Sequence, residues 1–399
     1  MTEELIYPVD TEAESSLASS TSMHSTVGSM RTDWDDISIR TKRYGTRAQS
    51  ARLRKFSGRG CTLARLDSHH WGIVLAGGDG FRLRNIVKTE WGDDRPKQFC
   101  PLSGNRTLLD ETRQLAERIA PPEQILYSVT QEHEKYYRPS LADRAAQTIV
   151  QPSNKGTAPA ILSTLMRIVG RDPSAIVAIL PLDRSYSPES AFATAVESAF
   201  RIAEQRSSSV VLLGLEAMSP EADCGWIEVG ETVNGHQGLT EVKGLKEKPS
   251  LPMAEKLFEA GSVWNTFVMV GHVCTFLEMA WATVPSLMQA LESREQGLSC
   301  RGEIRIPDGV YDRISPTDFT RQVLSMATER LLVLHLGNVE WSDREDHYRA
   351  LTKLFKATGE LPVWIRLWPT AITQISAAAR VDYVVDFSEA CRIHWHQPY

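Results

Sequence analysis

The sequence has 399 residues, of which 42% are apolar and 24% are charged, close to the averages of globular proteins. This composition excludes a wholly disordered chain, and a formal net charge of −6 excludes a general nucleic-acid-binding protein. The six cysteines form no CxxC pair, so we expect reduced thiols rather than disulfides or a zinc site. No long apolar run and no basic, apolar leader is present, so we expect a cytoplasmic protein that does not enter a membrane.

Residues 1–68 differ in composition from the rest of the chain. The first thirty are rich in Ser, Thr and Glu, and residues 40–65 carry nine Lys or Arg and no acidic residue. Few large apolar side chains are available for packing, so the pattern predicts a disordered head. The alternative is a basic arm that binds RNA, membrane phosphates or an acidic partner.

Strand and helix patterns alternate from residue 69 onwards. Predicted strands are 73–76, 124–129, 175–180 and 210–215, and predicted helices are 107–119, 158–169 and 189–205. This alternation is typical of βαβ units and predicts a largely parallel sheet. Domain boundaries follow: a head at 1–68, an α/β domain at 69–346, and a short helix and tail at 347–399.

The second half of the predicted domain has a different pattern. Three extended stretches lie close together and predict an antiparallel insertion over a site. They are residues 226–229, 239–247 and 263–270. One long apolar helix is predicted at 273–288, a late core strand at 331–336 and a final helix at 347–357.

The loop LAGGDGFRL at residues 75–83 is the most informative stretch of the sequence. It is not a Walker A loop, because no Gly-Lys-Ser/Thr follows, and Leu83 stands where a dinucleotide fingerprint needs a small residue. Glycines allow backbone N–H groups to approach an anion, and Arg82 can contact phosphate oxygens. Lys97 in the following PKQF adds a point charge. Taken alone, the loop is equally well explained as a tight turn with a structural arginine. Lys97, taken alone, is better explained as an ordinary surface lysine.

Further motifs follow the glycine loop in a fixed order. They are PKQF (96–99), QPSNKGTAPAI (151–161), LPLD (180–183), GWIE (225–228), KEKP (246–249), WNT (264–266) and EWSD (340–343). Together with the loop, they resemble the signature of sugar-1-phosphate nucleotidyltransferases over roughly residues 71–345. Within that family, the sequence is most similar to the mannose-1-phosphate guanylyltransferases.

The resemblance implies a fold and an activity. The expected fold is a Rossmann-like, three-layer α/β domain of the GT-A-like type, with a mixed, mostly parallel sheet. The expected enzyme joins a nucleoside triphosphate, GTP, to mannose-1-phosphate and releases GDP-mannose and pyrophosphate with Mg²⁺ as cofactor. The alternative is a catalytically silent protein of the same fold that binds a nucleotide or a sugar phosphate.

The resemblance also implies roles for individual residues. Nucleotide-binding candidates are Leu75, Ala76, Gly77, Gly78, Gly80, Asn154 and Thr157. Sugar-binding candidates are Gly225, Glu247, Lys248 and Asn265. Arg82 and Lys97 are expected to act on the triphosphate, and Asp183 and Asp343 to hold Mg²⁺, which prefers carboxylates and phosphate oxygens. Structural alternatives stay open for these residues. Either aspartate, or Thr157, could cap a helix. The glycine at 225 could form a turn, and Glu247 and Lys248 could form a surface ion pair.

The sequence departs from the family pattern in several places. The insert between Leu83 and Pro96 is longer, and Lys155-Gly156 stands where the family has Arg-Asn, which leaves base selectivity open. Phe267 stands where the family has glycine, and we expect it to crowd the sugar pocket. Residues 344–345 replace an apolar residue and glycine. We expect no left-handed β-helix after the domain, and self-association is left open.

Overall fold

A computed structural model provides the structure of the chain. The residues that it describes are 68–79, 95–103, 106–182, 184–292, 297–298, 302–337 and 339–343. All of them belong to one compact unit. The predicted head and the predicted helix at 347–357 lie outside the described residues, apart from Ser68. Among the described helices, none combines the length and the apolar character needed to cross a membrane.

Fifteen strands and nine α-helices are described. The strands are β1 (His70–Leu75), β2 (Pro101–Ser103), β3 (Arg106–Thr107), β4 (Ile125–Thr130), β5 (Thr148–Gln151), β6 (Ile176–Pro181), β7 (Arg184–Ser187), β8 (Val210–Glu216), β9 (Gly225–Thr232), β10 (Leu239–Glu247), β11 (Val263–His272), β12 (Gly297–Leu298), β13 (Ile304–Arg305), β14 (Leu331–Leu336) and β15 (Glu340–Asp343). The helices are α1 (Leu108–Ala116), α2 (Glu134–Ser140), α3 (Thr157–Val169), α4 (Glu189–Gln205), α5 (Leu251–Glu259), α6 (Val273–Thr283), α7 (Pro285–Leu291), α8 (Asp308–Tyr311) and α9 (Phe319–Gln322).

Eleven strands form one mixed sheet in the order β12-β13-β5-β4-β1-β6-β11-β8-β14-β10-β9. β5, β4, β1 and β6 run parallel to one another, and β8 runs parallel to β14. β11 is antiparallel to both β6 and β8, and β10 is antiparallel to both β14 and β9. The α/β class and the mixed sheet are confirmed. Within this described sheet, five pairings are parallel and six are antiparallel, so a mostly parallel sheet is not confirmed.

Successive residues of a strand point to opposite sides of the sheet, and apolar residues occupy both sides. Helices therefore cover both faces of the sheet. In β1, the side chain of Val74 belongs to one core and that of Ile73 to the other. The first core contains Leu109 of α1 and Phe200 of α4, and the second contains Leu165 of α3 together with residues of α6 and α7. Each fully buried side chain of this size contributes about 1.5–3 kcal/mol relative to an exposed one. These cores hold the strand ends in place.

A capping box fixes the start of α1. The Thr107 hydroxyl accepts a hydrogen bond from Asp110 N at 3.1 Å, and the Asp110 carboxylate accepts one from Thr107 N at 3.0 Å. This exchange satisfies backbone donors that have no partner inside the helix. The predicted helix at 107–119 is therefore present, although it ends three residues earlier.

The predicted helix at 273–288 is wrong as a single element. α6 ends at Thr283 and α7 begins at Pro285, with Val284 between them at φ −130° and ψ 55°. Proline lacks an N–H group and disfavours helical geometry in the preceding residue, so the apolar pattern continues while the helix breaks. The predicted insertion at 226–270 is antiparallel as expected, but its strands join the main sheet.

A buried carboxylate holds the start of β1. Asp172 is 4% exposed and accepts hydrogen bonds from Trp71 Nε1 and Ser174 N, each at 3.0 Å. His69 Nδ1 lies 2.9 Å from the same carboxylate, and the His70 ring stacks on Phe200 with centroids 4.1 Å apart. These contacts give the two histidines structural roles that their sequence pattern does not indicate.

Candidate functional site

The carboxyl ends of β5, β4, β1 and β6 meet at one edge of the sheet. Leu75, the last residue of β1, pairs with Ser128 of β4 on one side and with Pro181 of β6 on the other. The glycine loop leaves β1 at this point. Loops at the carboxyl ends of parallel strands form the usual ligand site of α/β proteins, so this edge is the candidate site.

The glycine loop lies directly against the ends of β4 and β5. An ideal Cβ on Gly77 would lie 2.9 Å from Thr130 Oγ1 and 3.1 Å from Gln151 Nε2, so this position has room only for glycine. The Thr130 hydroxyl donates a hydrogen bond to the Gly77 carbonyl oxygen at 2.7 Å. Around Gly78, no described atom lies within 4 Å of an ideal Cβ, so its outer side is open to a ligand.

Gln98 connects the PKQF motif to the glycine loop. Its buried side-chain amide donates hydrogen bonds to the carbonyl oxygens of Ala76, at 3.0 Å, and Gly78, at 2.6 Å. Lys97 is half-buried and precedes Gln98 in the 3₁₀ turn Lys97–Phe99. Sequence reasoning missed Gln98 and Thr130, because both act through contacts between residues that are far apart in the sequence. Gly80 and Arg82 lie outside the described residues.

The turn before α3 packs beside the glycine loop. Asn154 Nδ2 donates a hydrogen bond to Asp79 Oδ2 at 2.8 Å, and Asn154 Oδ1 accepts one from Gly156 N at 3.0 Å. Thr157 is the first residue of α3, and its hydroxyl accepts a hydrogen bond from Phe319 N at 2.8 Å. Asn154 therefore joins the two loops, and Thr157 is tied to the start of α9.

A segment between α8 and α9 braces this turn from behind. Lys155 Nζ donates hydrogen bonds to the carbonyl oxygens of Tyr311, at 2.6 Å, and Ile314, at 2.9 Å. The Thr317 backbone bonds to Lys155 O and to Ala158 N. Lys155 therefore has a structural role. Its two hydrogen bonds to carbonyl oxygens account for a lysine at this position without any contact to a nucleotide base. Burial raises the pKa of Tyr311, whose hydroxyl stays protonated and donates to Gln151.

Three of the four sugar-binding candidates lie side by side. β9 pairs with β10 and with the start of β11, so Gly225 is opposite both Glu247 and Asn265. An ideal Cβ on Gly225 would lie 2.9 Å from Glu247 Oε2 and 3.3 Å from Asn265 Cβ. Arg321 Nη2 donates a 3.4 Å hydrogen bond to the Glu247 carbonyl oxygen. Lys248 follows with an exposed side chain and a left-handed backbone at φ +49°.

The backbone of Asp343, one of the two metal-ligand candidates, lies in β15. β15 pairs with β7, and this register sets Asp343 opposite Arg184, the residue that follows Asp183. Asp183 itself and the side chain of Asp343 lie outside the description. The junction of β6 and β7 at this point lies between the glycine loop, on the β1 side, and Asn265, on the β11 side.

Comparison with known proteins identifies the family. The Nucleotidyl transferase family model matches residues 71–292, more than half of the chain. The chain belongs to the nucleotidyl transferase family. The matched range contains the glycine loop, the turn before α3 and the group at residues 225, 247 and 265.

Similar proteins include AlgA, an alginate biosynthesis protein of Pseudomonas syringae pv. tomato, which is 25% identical over 81% of this chain and 62% of its own length. Mannose-1-phosphate guanylyltransferase 2 of Escherichia coli O157:H7 is 28% identical over 52% of this chain and 44% of its own. A solved structure described as mannose-1-phosphate geranyltransferase from Thermus thermophilus is 27% identical, with a TM-score of 0.59 over 72% of this chain and 79% of its own. The chain matches between 42% and 62% of the length of curated relatives such as these, about two to three fifths.

Phe267 occupies the position at which the nucleotidyl transferase pattern has glycine. Its backbone is left-handed at φ +62°, within a bulge between Asn265 and Met269. The Asn265 side-chain oxygen accepts a hydrogen bond from Phe267 N at 2.9 Å, and the Thr266 hydroxyl donates to Leu213 O at 2.7 Å. The half-buried ring packs against the core that contains α3 and α6. The left-handed backbone in the bulge explains why glycine suits this position. The phenylalanine ring fits there because it packs against the core.

Proposed function

We propose that the chain is a sugar-1-phosphate nucleotidyltransferase that joins GTP to mannose-1-phosphate and gives GDP-mannose and pyrophosphate. Membership of the nucleotidyl transferase family supports the reaction type. The names of the similar proteins from Escherichia coli and Thermus thermophilus support mannose-1-phosphate as the sugar substrate. The GT-A-like architecture and the domain boundary near residue 346 are part of the same proposal.

The order of residues along the sheet edge carries the proposal. The glycine loop and the turn before α3 lie beside β1, β4 and β5, and the Gly225, Glu247 and Asn265 group lies beside β11. The end of β6 lies between these two groups, and β7, which follows it, pairs with β15 so that Arg184 is opposite Asp343. This order fits a nucleotide and a sugar phosphate that meet over the end of β6.

The reaction needs positioning and neutralisation of charge. An oxygen of the sugar phosphate attacks the α-phosphorus, a new P–O bond forms, and the bond to the bridging oxygen breaks, so that pyrophosphate leaves with the electron pair. Arg82 and Lys97 would hold the triphosphate, while backbone N–H groups of the glycine loop face its oxygens. Glu247 and Asn265 can accept and donate hydrogen bonds to sugar hydroxyl groups, and Lys248 can contact the sugar phosphate.

Asp183 and Asp343 are the residues that would hold Mg²⁺. Carboxylates are hard oxygen ligands, and the register that sets Asp343 opposite Arg184, the residue after Asp183, supports a shared site. When bound, the ion would neutralise charge on the phosphate oxygens.

The assignment of the two aspartates is tested by Asp183→Asn and Asp343→Asn, with Asp312→Asn as the control because Asp312 is exposed in a turn after α8. We expect each of the first two variants to lose pyrophosphate release by at least about a hundredfold, while circular dichroism and the melting temperature stay close to those of the control. Normal turnover in folded Asp183→Asn and Asp343→Asn variants would show that these carboxylates do not act in the reaction.

We also propose that the protein is cytoplasmic and that its basic segment at 40–65 binds an acidic partner. The nine basic residues of this segment support the binding. The full chain should bind a polyglutamate peptide at low salt, and charge reversal at Arg52, Arg54 and Lys55 should abolish this binding without changing pyrophosphate release. Equal binding by the charge-reversed variant would refute the role of the segment.

A further inference from the structure

A second group of potential metal ligands lies beside the glycine loop. Asp79, Glu132 and His133 each offer one ligand atom, and these atoms lie within 4.8 Å of one another. Asp79 belongs to the loop after β1, and the other two belong to the 3₁₀ turn Gln131–His133 after β4. β4 and β6 lie on opposite sides of β1, so this group is separate from the position of Asp183 and Asp343.

The histidine of this group is buried and only partly satisfied. Its side chain is 9% exposed, and its Nδ1 atom has no hydrogen-bond partner among the described residues. Its Nε2 atom lies 3.8 Å from Asp79 Oδ1, which is longer than a hydrogen bond. A buried ring without a hydrogen bond costs about 1–3 kcal/mol, and a ligand at Nε2, the nitrogen that faces Asp79, would give the ring a partner.

A neighbouring amide orients Asp79 towards the histidine. Asn154 Nδ2 donates a hydrogen bond to Asp79 Oδ2 at 2.8 Å, which leaves Oδ1 as the oxygen that faces His133. Hydrogen bonds to the outer oxygen of a carboxylate are the usual means by which a protein aims a metal ligand. The two loops of the group are therefore already arranged before any ion binds.

A simple ion pair between His133 and Asp79 explains the group less well. The separation of 3.8 Å between His133 Nε2 and Asp79 Oδ1 is longer than the hydrogen bond of a close ion pair, and Glu132 adds a second carboxylate to the group. An imidazole beside two carboxylates is a set of metal donors.

We propose that Asp79, Glu132 and His133 bind one divalent first-row transition-metal ion, represented by Mn²⁺, in preference to Mg²⁺. Imidazole suits transition metals better than Mg²⁺, and carboxylates suit Mn²⁺. Ligands about 2.0–2.2 Å from an ion lie at most about 4.4 Å apart, so atoms within 4.8 Å of one another need at most a small inward movement on binding. Glu132 is exposed and free to make this movement. The ion would tie the glycine loop to the end of β4.

Mn²⁺ binding by the chelator-stripped full chain tests the site without any nucleotide present. The signal of free Mn²⁺ in electron paramagnetic resonance gives the number of bound ions and the dissociation constant. The test variants are Glu132→Gln, at an exposed position, and His133→Phe, with a ring of similar size. Glu123→Gln is the matched control, because Glu123 is an exposed glutamate before the same strand. Asp183→Asn separates the site from the proposed Mg²⁺ position.

We expect the wild-type chain, Glu123→Gln and Asp183→Asn to bind one Mn²⁺ that a tenfold excess of Mg²⁺ does not displace. Glu132→Gln should bind it at least tenfold more weakly, and His133→Phe should not bind it. The proposal is overturned if Glu132→Gln and His133→Phe bind Mn²⁺ as the wild type does, or if the only bound ion is lost in Asp183→Asn. Because the readout is binding, it does not depend on the proposed activity.

Discussion

Replacement of Gly156 by alanine tests the most constrained position in the candidate site. Gly156 has φ +92° and ψ −178°, a backbone conformation that is almost restricted to glycine. An ideal Cβ at this position would lie 2.5 Å from the Thr317 carbonyl oxygen, a backbone atom that cannot move alone. Any relief of the clash must displace the segment that braces the turn before α3.

The expected loss of stability has two parts. Holding a non-glycine residue in this conformation costs about 1–3 kcal/mol. Displacement of Thr317 weakens its two backbone hydrogen bonds, with Lys155 O at 2.9 Å and Ala158 N at 3.1 Å, each worth about 0.5–1.5 kcal/mol. Together these contributions predict a loss of about 2–6 kcal/mol for Gly156→Ala, or a melting temperature lower by about 4–10 °C in a domain of this size.

Thermal unfolding followed by circular dichroism measures this loss, with urea unfolding as a second measure. Gly235→Ala is the matched control, because Gly235 also has a positive φ, +84°, while no described atom lies within 4 Å of its ideal Cβ. The control therefore reports backbone strain without the clash. If Gly156→Ala is no less stable than Gly235→Ala, the reasoning about the clash with Thr317 is wrong.

Three further predictions follow from single contacts. Asp172→Ala should lower the free energy of unfolding by about 2–4 kcal/mol, because it leaves buried donors unpaired; a loss under about 0.5 kcal/mol in urea unfolding would contradict this. Gly225→Ala should raise the KM for the sugar phosphate about tenfold or more and change the KM for the nucleotide little, since the new Cβ displaces Glu247; equal effects on both constants would count against a sugar site. Burial lowers the pKa of His335, so the unfolded chain takes up this proton first as the pH falls. Stability from this group is complete above about pH 7 and is lost below about pH 6.5, so the melting temperature of the wild type should fall more between pH 7.5 and 5.5 than that of His335→Gln, and equal slopes would exclude the effect.

The sequence predicts most of the regular elements because local patterns determine them. Helices α1, α3 and α4 and strands β1, β4, β6, β8 and β14 have clear periodicity or apolar runs of the right length. The prediction failed at residues 284–285, where one proline outweighs an apolar pattern that continues through it. The prediction also missed the large share of antiparallel pairings in the main sheet. The pairing of β9, β10 and β11 depends on contacts between residues far apart in sequence.

The candidate site divides in the same way. Motifs indicated Gly77, Gly225, Glu247 and Asn265, and the structure brings the last three together. Gln98 acts only because a distant turn returns to the glycine loop, so no local pattern could give its role. Other residues in this class are Thr130, Lys155 and Thr317, whose contacts also cross between distant parts of the chain.

Pyrophosphate release by the purified full-length protein tests the proposed function most directly. GTP, ATP, UTP, CTP and dTTP are each combined with mannose-1-phosphate and glucose-1-phosphate in the presence of Mg²⁺, and a chelator is added at the end. The proposed function predicts release with GTP and mannose-1-phosphate that stops when the chelator is added. Release with a different pair would contradict the assigned substrates. No release with any pair, from a folded protein whose melting temperature GTP still raises, would contradict the enzyme and leave a nucleotide-binding protein of the same fold.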